Sequence, residues 1–308
     1  MGAFATGLKY TAFGCLALVL LVALGIGTLG FVAAKQADGD PVREATTRWE
    51  PPELPATTAD GAVHGIDLPQ TPGVITLDLS GGGFEIEPAA PGEGLSIEST
   101  FRESNYELIE EYVESDGESP WHYTVTFRAK RQSVVTLVQS LMGKNKAELK
   151  VRVPPDLPYR LELQLDGGGM AADLGGLWLT ELDLDVTKGG GAIQFSEPLR
   201  ESLEVLELDC RMAGLAVVQL SNAAPEDLRI AATMGGVEID LSGSWPHDTR
   251  ASVFGKGSGA ISLRMPNNVR VEGVPGALYR SEMPESPEVP APVFRFSSDS
   301  IFDNVEFN

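Results

Sequence analysis

Histidine, cysteine and basic side chains are scarce in this sequence, and each scarcity removes a class of function. The only histidines are His64, His122 and His247, and the only cysteines are Cys15 and Cys210. No two of them are spaced as ligands on one helix or hairpin, so a zinc centre is not expected. Two cysteines cannot build a disulfide framework. Cys15 lies inside an apolar run, and Cys210 takes the inward slot of an alternating segment, Leu206 to Cys210, where it acts as a small hydrophobe; both are expected free. Lysine and arginine total 23 against 44 acids, a formal net charge of −21. Such a chain repels nucleic acid, which excludes it as a partner. The four tryptophans (49, 121, 178 and 245) are too scattered to form an aromatic platform for sugar rings.

What is present is a globular composition, 43% hydrophobic and 22% charged over 308 residues, enough for one large domain or two small ones. Tyr10 to Ala34 form 25 residues without a formal charge. A helix of roughly 20 such residues crosses a hydrocarbon core of about 30 Å, and a signal-peptide core is typically shorter, about 7–15 residues. Residues 1–34 are therefore expected to be a transmembrane anchor, with a cleaved signal ending near Val32–Ala34 as the alternative. Lys9 precedes the run, which favours an inside N-terminus and an outside remainder. Residues 35–72, rich in Pro, Thr and Ala, are expected to be an extended linker.

The informative feature is a repeat within residues 73–308. Leu161, Leu163 and Leu165 alternate with polar residues and run into Gly167, Gly168 and Gly169. Leu182, Leu184 and Val186 lead to Gly189, Gly190 and Gly191; Leu206, Leu208 and Cys210 lead to Gly214. Leu228 and Ile230 lead to Gly235 and Gly236, and Val253 leads to Gly257 and Gly259. Anchored on Gly169, Gly190, Gly214, Gly236 and Gly259, the steps are 21, 24, 22 and 23 residues. An earlier copy, Ile75 to Ile86, contains Gly81, Gly82 and Gly83, and its last glycine lies 86 residues before Gly169, close to four such steps. A period near 22 is a solenoid signature. Alternation gives each strand one apolar and one polar face. A single coil cannot bury its apolar face, but coils stacked about 4.8 Å apart share one core. The expected fold is all-β, a parallel β-solenoid with about 22 residues per coil, preceded by one transmembrane helix. An antiparallel sandwich with glycine hairpins is the competing reading.

Residues 97–153 depart from the period. Tyr106 to Val113 and Trp121 to Phe127 read as strands, while Ser133 to Met142 carries apolar residues at 134, 137, 138 and 141, the spacing of a short helix, with a strand as the alternative. Val293 to Phe296 and Ile301 to Phe307 are expected to cap the far end of the stack.

Few residues suggest chemistry. Gly255 to Gly259 superficially resembles a nucleophile elbow or phosphate loop, but it lacks the spacing of either and falls on the repeated corner. Aligning the coils places Glu162, Asp183, Glu207 and Arg229 in one outward column and Gln164, Asp185 and Asp209 in another. Stacked like charges invite a cation, with weak Ca²⁺ binding as one reading and a solvated acidic face as the other. The most polarised patch is basic: Arg128, Lys130, Arg131, Lys144, Lys146, Lys150 and Arg152 flank the apolar Ser133–Met142. A basic rim around an apolar stripe suits docking onto an acidic partner, anionic lipid headgroups or a teichoic-type polymer; the alternative is a coil edge whose basic stems snorkel over the core. No catalytic or cofactor-binding set emerges.

The Gly-Gly-Gly turns between alternating strands, behind a single apolar segment, resemble the bacterial "putative adhesin" or toastrack families found at the C-termini of envelope-stress and cell-wall-antibiotic-response proteins. The matching residues are Leu77 to Ile86 and Leu161 to Leu263, somewhat over a third of the chain. The resemblance implies a right-handed β-solenoid on the outer face of a bacterial cytoplasmic membrane, acting through protein or envelope contacts, and it carries over no catalytic residue. The leading expectation is a non-enzymatic scaffold, sensor or interaction module. A surface adhesin or polymer-binding protein comes second, and a β-helix carbohydrate-active enzyme third.

Overall fold

The structure is a computed structural model that describes residues 41–50, 72–114, 119–130, 147–266, 268–274, 291–297, 299–302 and 304–308. The expected anchor and the Ser133–Met142 segment lie outside them. Among the described residues no helix is long and apolar enough to cross a membrane.

The described chain is all-β. Its strands are β1 (Val42–Trp49), β2 (Gly73–Leu79), β3 (Gly82–Pro88), β4 (Leu95–Arg102), β5 (Tyr106–Val113), β6 (His122–Ala129), β7 (Glu148–Val153), β8 (Tyr159–Asp173), β9 (Leu179–Gln194), β10 (Val205–Val218), β11 (Asp227–Asp240), β12 (Thr249–Arg264), β13 (Arg270–Glu272), β14 (Val293–Phe296) and β15 (Val305–Phe307). From β8 to β12 each strand pairs with the next in parallel. The sandwich of hairpins is thereby set aside. Each long strand has two arms joined at the glycine corner. In β8 the first arm pairs with β2 and the second with β3, so β2 and β3 are the two sides of one coil.

Alternation dictates the core. Leu161, Leu163 and Leu165 stack on Leu182, Leu184 and Val186, then on Leu206, Leu208 and Cys210, and all are buried. Cys210 is free. A third side closes each coil through short return segments: Leu174, Leu177, Phe195, Leu203, Leu220 and Leu241 are buried there. Their backbones continue the stack, with Leu174 N donating to Gln194 O at 2.8 Å and Phe195 N to Val218 O at 3.1 Å. Polar backbone groups thus stay paired while the apolar interior remains continuous.

Three expectations are corrected. The 86-residue interval does not place further coils between Gly83 and Gly169 in the stack, because the two pair directly. The intervening chain goes outward instead. It forms β4 antiparallel to β7, β5 antiparallel to β6, and the parallel coil β6/β7 on the far side of β2/β3. The last glycine step is also displaced. Gly236 pairs with Ala260, and Gly259 pairs with Gly235, because a bulge between Ala232 and Met234 shifts the register. Third, part of the segment read as linker is structured: β1 pairs antiparallel with β4 over eight residues. At the opposite end β14 and β15 lie on β12, with Trp245, Phe294, Phe296, Phe302 and Phe307 in ring contact beneath them.

The glycine corners divide into two kinds. Gly235 has φ +116°, and a Cβ there would stand 1.9 Å from Ala213 O; Gly168, at φ +108°, would meet Gly82 O at 2.2 Å. These positions need glycine for both conformation and close approach. Of the five glycines that carry the sequence period, Gly169, Gly214 and Gly236 would place a Cβ with nothing within 4 Å of it and have no left-handed φ, whereas a Cβ on Gly190 or Gly259 would meet a backbone oxygen at 2.2 or 2.5 Å.

Candidate interaction surface

The basic residues singled out in the sequence do not form one patch. Arg128 and Lys130 lie at the end of the first arm, on and just beyond β6, whereas Lys150 and Arg152 lie on the second arm, on β7. Arg131, Lys144 and Lys146 lie outside the described residues. The four that are described are engaged. Arg128 pairs with Glu107 of the antiparallel neighbour β5, and Lys130 Nζ donates to Glu103 O at 2.7 Å. Lys150 Nζ lies 2.8 Å from Glu87 and 3.1 Å from Glu85. Arg152 bridges Glu87, at 2.8 Å, and Glu98. Burial alone would raise the Glu87 carboxyl, but hydrogen bonds from Lys150 and Arg152 hold it below its ordinary value. The acids that neutralise the patch come from strands 54 and 65 residues away in sequence, which is why a local charge count overstated it.

The acidic columns form as the alignment of coils requires. Glu162, Asp183, Glu207 and Arg229 are consecutive partners, as are Gln164, Asp185 and Asp209. Arginines of the same chain run through them. Arg160 reaches Glu162 at 3.2 Å and Glu181 and Asp183 at 3.6 Å; Arg211 reaches Asp185 at 3.1 Å and Asp209 at 3.2 Å. Burial, then the charges of Glu207 and Glu162, push the Asp183 carboxyl up, with Arg160 opposing them. Among the described residues no three metal-ligating side chains converge. Arg160 and Arg211 thus bring positive charge to the columns from within the chain.

The first column continues onto two earlier strands and produces a contact no local motif suggested. Thr76 Oγ1 donates to Glu162 Oε2 at 2.9 Å and lies 2.9 Å from His122 Nε2. A histidine, a hydroxyl and a carboxylate therefore meet on β6, β2 and β8. A hydroxyl has one proton; with it committed to Glu162, His122 Nε2 must be the donor to Thr76. That direction is the reverse of a base activating a nucleophile. The flanking amides are spent in the parallel ladders, so among the described residues no pair of free N–H groups faces the hydroxyl as an oxyanion hole. The set acts as a polar clip across three strands.

The outer face of the second arm holds two shallow, open grooves. One, about 780 Å³, is bordered by Glu44, Glu85, Glu98, Glu148 and Lys150 over a floor of Gly83 and Gly169. The other, about 690 Å³, runs over Gly214, Ala216 and Gly236 towards Glu238 and Glu306. Their concavity follows from the ladder: small residues Ala171, Ala192 and Ala216 fall in one column, flanked by longer acids. At the corner between the arms, Met212 and Met234 are exposed neighbours on β10 and β11. Sequence reasoning missed Thr76, which has no distinguishing context, and missed β1, whose one signal was Trp49 in an otherwise polar segment.

No protein-family model matches the chain, and no curated protein matches it significantly. Among solved structures it is similar to a "putative cell adhesion protein" of Clostridium sporogenes at 13% identity and TM-score 0.35, covering 87% of this chain and 100% of that one. It is similar to a "putative adhesin" of Bacteroides fragilis at 9% identity and TM-score 0.35, covering 86% and 97%. A third, from Parabacteroides merdae, gives 12% identity and TM-score 0.24, covering 87% and 96%. At scores of this size the likeness carries no argument about function.

Proposed function

We propose that the chain is a single-pass bacterial cell-envelope protein whose extracytoplasmic right-handed β-solenoid acts as a non-enzymatic scaffold, sensor or interaction module. The observation that carries the reading is the character of the described surface: long, flat, ladder-built faces with shallow grooves, whose polar side chains pair with one another rather than converging on an enclosed site. Surfaces of that kind suit extended macromolecular contact, whereas small-molecule chemistry favours enclosed apolar pockets with a few convergent polar groups. The 25 uncharged residues from Tyr10 to Ala34 supply the anchor in this reading, and Lys9 supplies the orientation.

Protease added outside spheroplasts of a host producing the full chain tests the placement. Digestion of residues 41–308 with retention of a membrane-embedded N-terminal fragment is the expected result; complete protection would overturn it, and release of an intact soluble chain would indicate a cleaved signal. The soluble part for binding work begins at residue 41, since β1 belongs to the sheet. Specific binding on a glycan array would move the assignment to the adhesin or polymer-binding reading, and turnover of an acidic polysaccharide would move it to an enzyme.

A further inference from the structure

We propose that two copies of this chain pair through β1, antiparallel about a two-fold axis at Thr46, extending the sheet across the dimer. β1 is the outermost strand of the sheet order, paired with β4 on one side and with no described strand on the other. Its register with β4 runs unbroken from Val42 to Trp49, with no proline and no bulge. A long regular edge of this kind presents a row of unpaired N–H and C=O groups, a ready template for another strand.

The comparison with β5, the free edge of the other arm at the same end, decides what the partner is. β5 carries Glu107, Glu110 and Glu111 and no base, so a second β5 would be repelled. β1 carries mixed charge, and the order is self-complementary. Antiparallel pairing centred on Thr46 places Glu44 opposite Arg48 of the second copy and Arg48 opposite its Glu44. Thr46 then meets Thr46, and Arg43 meets the second copy's Trp49. Glu44, Thr46 and Arg48 all lie on the exposed face of β1, while Ala45, Thr47 and Trp49 lie on the half-buried face. Glu44 and Arg48 form no ion pair among the described residues, whereas Arg43 on the opposite face is held by Glu103 at 3.0 Å. Within one strand, charges four residues apart stand about 13 Å from each other and cannot meet; a second copy brings each to its complement. Because the contact is isologous, each favourable pair occurs twice, and so does each repulsion introduced by substitution.

The test uses the full chain in membranes, with Cys15→Ser so that Cys210, which is buried, is the one native thiol left. Thr46→Cys places two thiols on directly opposed residues, within reach of a disulfide. Mild oxidation is expected to give a covalent dimer, while Ala192→Cys, exposed on the same arm but five strands inward, stays monomeric. Adding Glu44→Arg or Arg48→Glu to Thr46→Cys is expected to cut the dimer yield about tenfold, since two like-charge pairs then face each other. The combined exchange, Glu44→Arg with Arg48→Glu, restores it. A Thr46→Cys chain that melts like its parent yet stays monomeric overturns the proposal. So does equal cross-linking at Ala192→Cys, cross-linking to a different protein, or failure of the double exchange to restore the dimer. Should Thr46→Cys misfold, light scattering of the purified full chain in detergent, with and without the three charge variants, decides the same question by its concentration dependence.

Discussion

From β8 to β12 every strand pairs with its successor in the chain, whereas from β1 to β7 the antiparallel β5–β6 ladder alone joins consecutive strands. Both regions share one core and one hydrogen-bonding pattern at their junction, where β8 accepts β2 and β3 on one side and β9 on the other. The difference is in how far the chain travels before it closes a contact. Coils in the regular region close after 21 to 24 residues. Those in the first region close Val42 on Arg102, Phe84 on Leu149 and Gly83 on Gly169. Regular coils resemble a one-dimensional array in which each unit supports the next. The irregular end loses more loop-closure entropy for its contacts and ends the array by switching to antiparallel strands.

The comparison can be broken at its strongest point by Gly235→Ala. The left-handed φ and the approach to Ala213 O together should cost about 4 kcal/mol or more, within the usual range for backbone strain plus overpacking. Gly236→Ala, one residue on, should shift stability by less than about 0.5 kcal/mol, because its Cβ enters open space. Chemical denaturation of the two variants side by side checks whether the corner tolerates only one of them. At the irregular end, Trp49→Ala removes ring contacts with Tyr112, Trp121 and Tyr123 at 5.1 to 5.3 Å. A loss of about 3 kcal/mol is expected, as for a large aromatic truncated at a packed site. If stability is unchanged, β1 does not close the core.

At the junction, Tyr159 is 0% exposed and its hydroxyl has no hydrogen-bond partner among the described residues. Tyr159→Phe should leave stability unchanged or raise it by up to about 1 kcal/mol, since an unsatisfied buried hydroxyl is removed. A clear loss in a thermal melt would point to a bridging partner. The smallest effect belongs to Asp183→Asn in the regular acidic column. The folded-state pKa of Asp183 is raised, so its ionisation opposes folding above that pKa, and the opposition disappears as pH falls and the carboxyl protonates. The variant should therefore be more stable at pH 7 by at most a few tenths of a kcal/mol, because solvent screens a half-exposed carboxylate. That advantage should vanish at pH 3, below the ordinary carboxylate pKa; an advantage that grows in acid would refute the sign.

Much of the regular region was legible because its information is local. Leu161, Leu163 and Leu165 alternate with polar residues and recur one coil later, so face and step follow from the pattern alone, while the parallel ladders decide between a stack of coils and a sandwich of hairpins. The same logic located the acidic columns residue by residue. It misplaced the last corner because a single bulge, invisible to a glycine count, moved Gly259 out of the Gly236 column. It also merged Arg128 and Arg152 into one patch, although a glycine-cornered coil puts them on different arms.

By itself the amino-acid order determined an all-β chain whose apolar alternation, repeated near every 22 residues, no single repeat can bury alone. It also determined that the single long uncharged run lies outside that repeat. Tertiary structure alone decided the place of β2 and β3 between β6/β7 and β8, the recruitment of Val42–Trp49 as an edge strand, and the pairing of Lys150 and Arg152 with Glu85, Glu87 and Glu98. The reason is physical. Period and face are properties of neighbouring residues, whereas the choice of ladder partner depends on which distant strand can complete the same core and satisfy the same backbone groups.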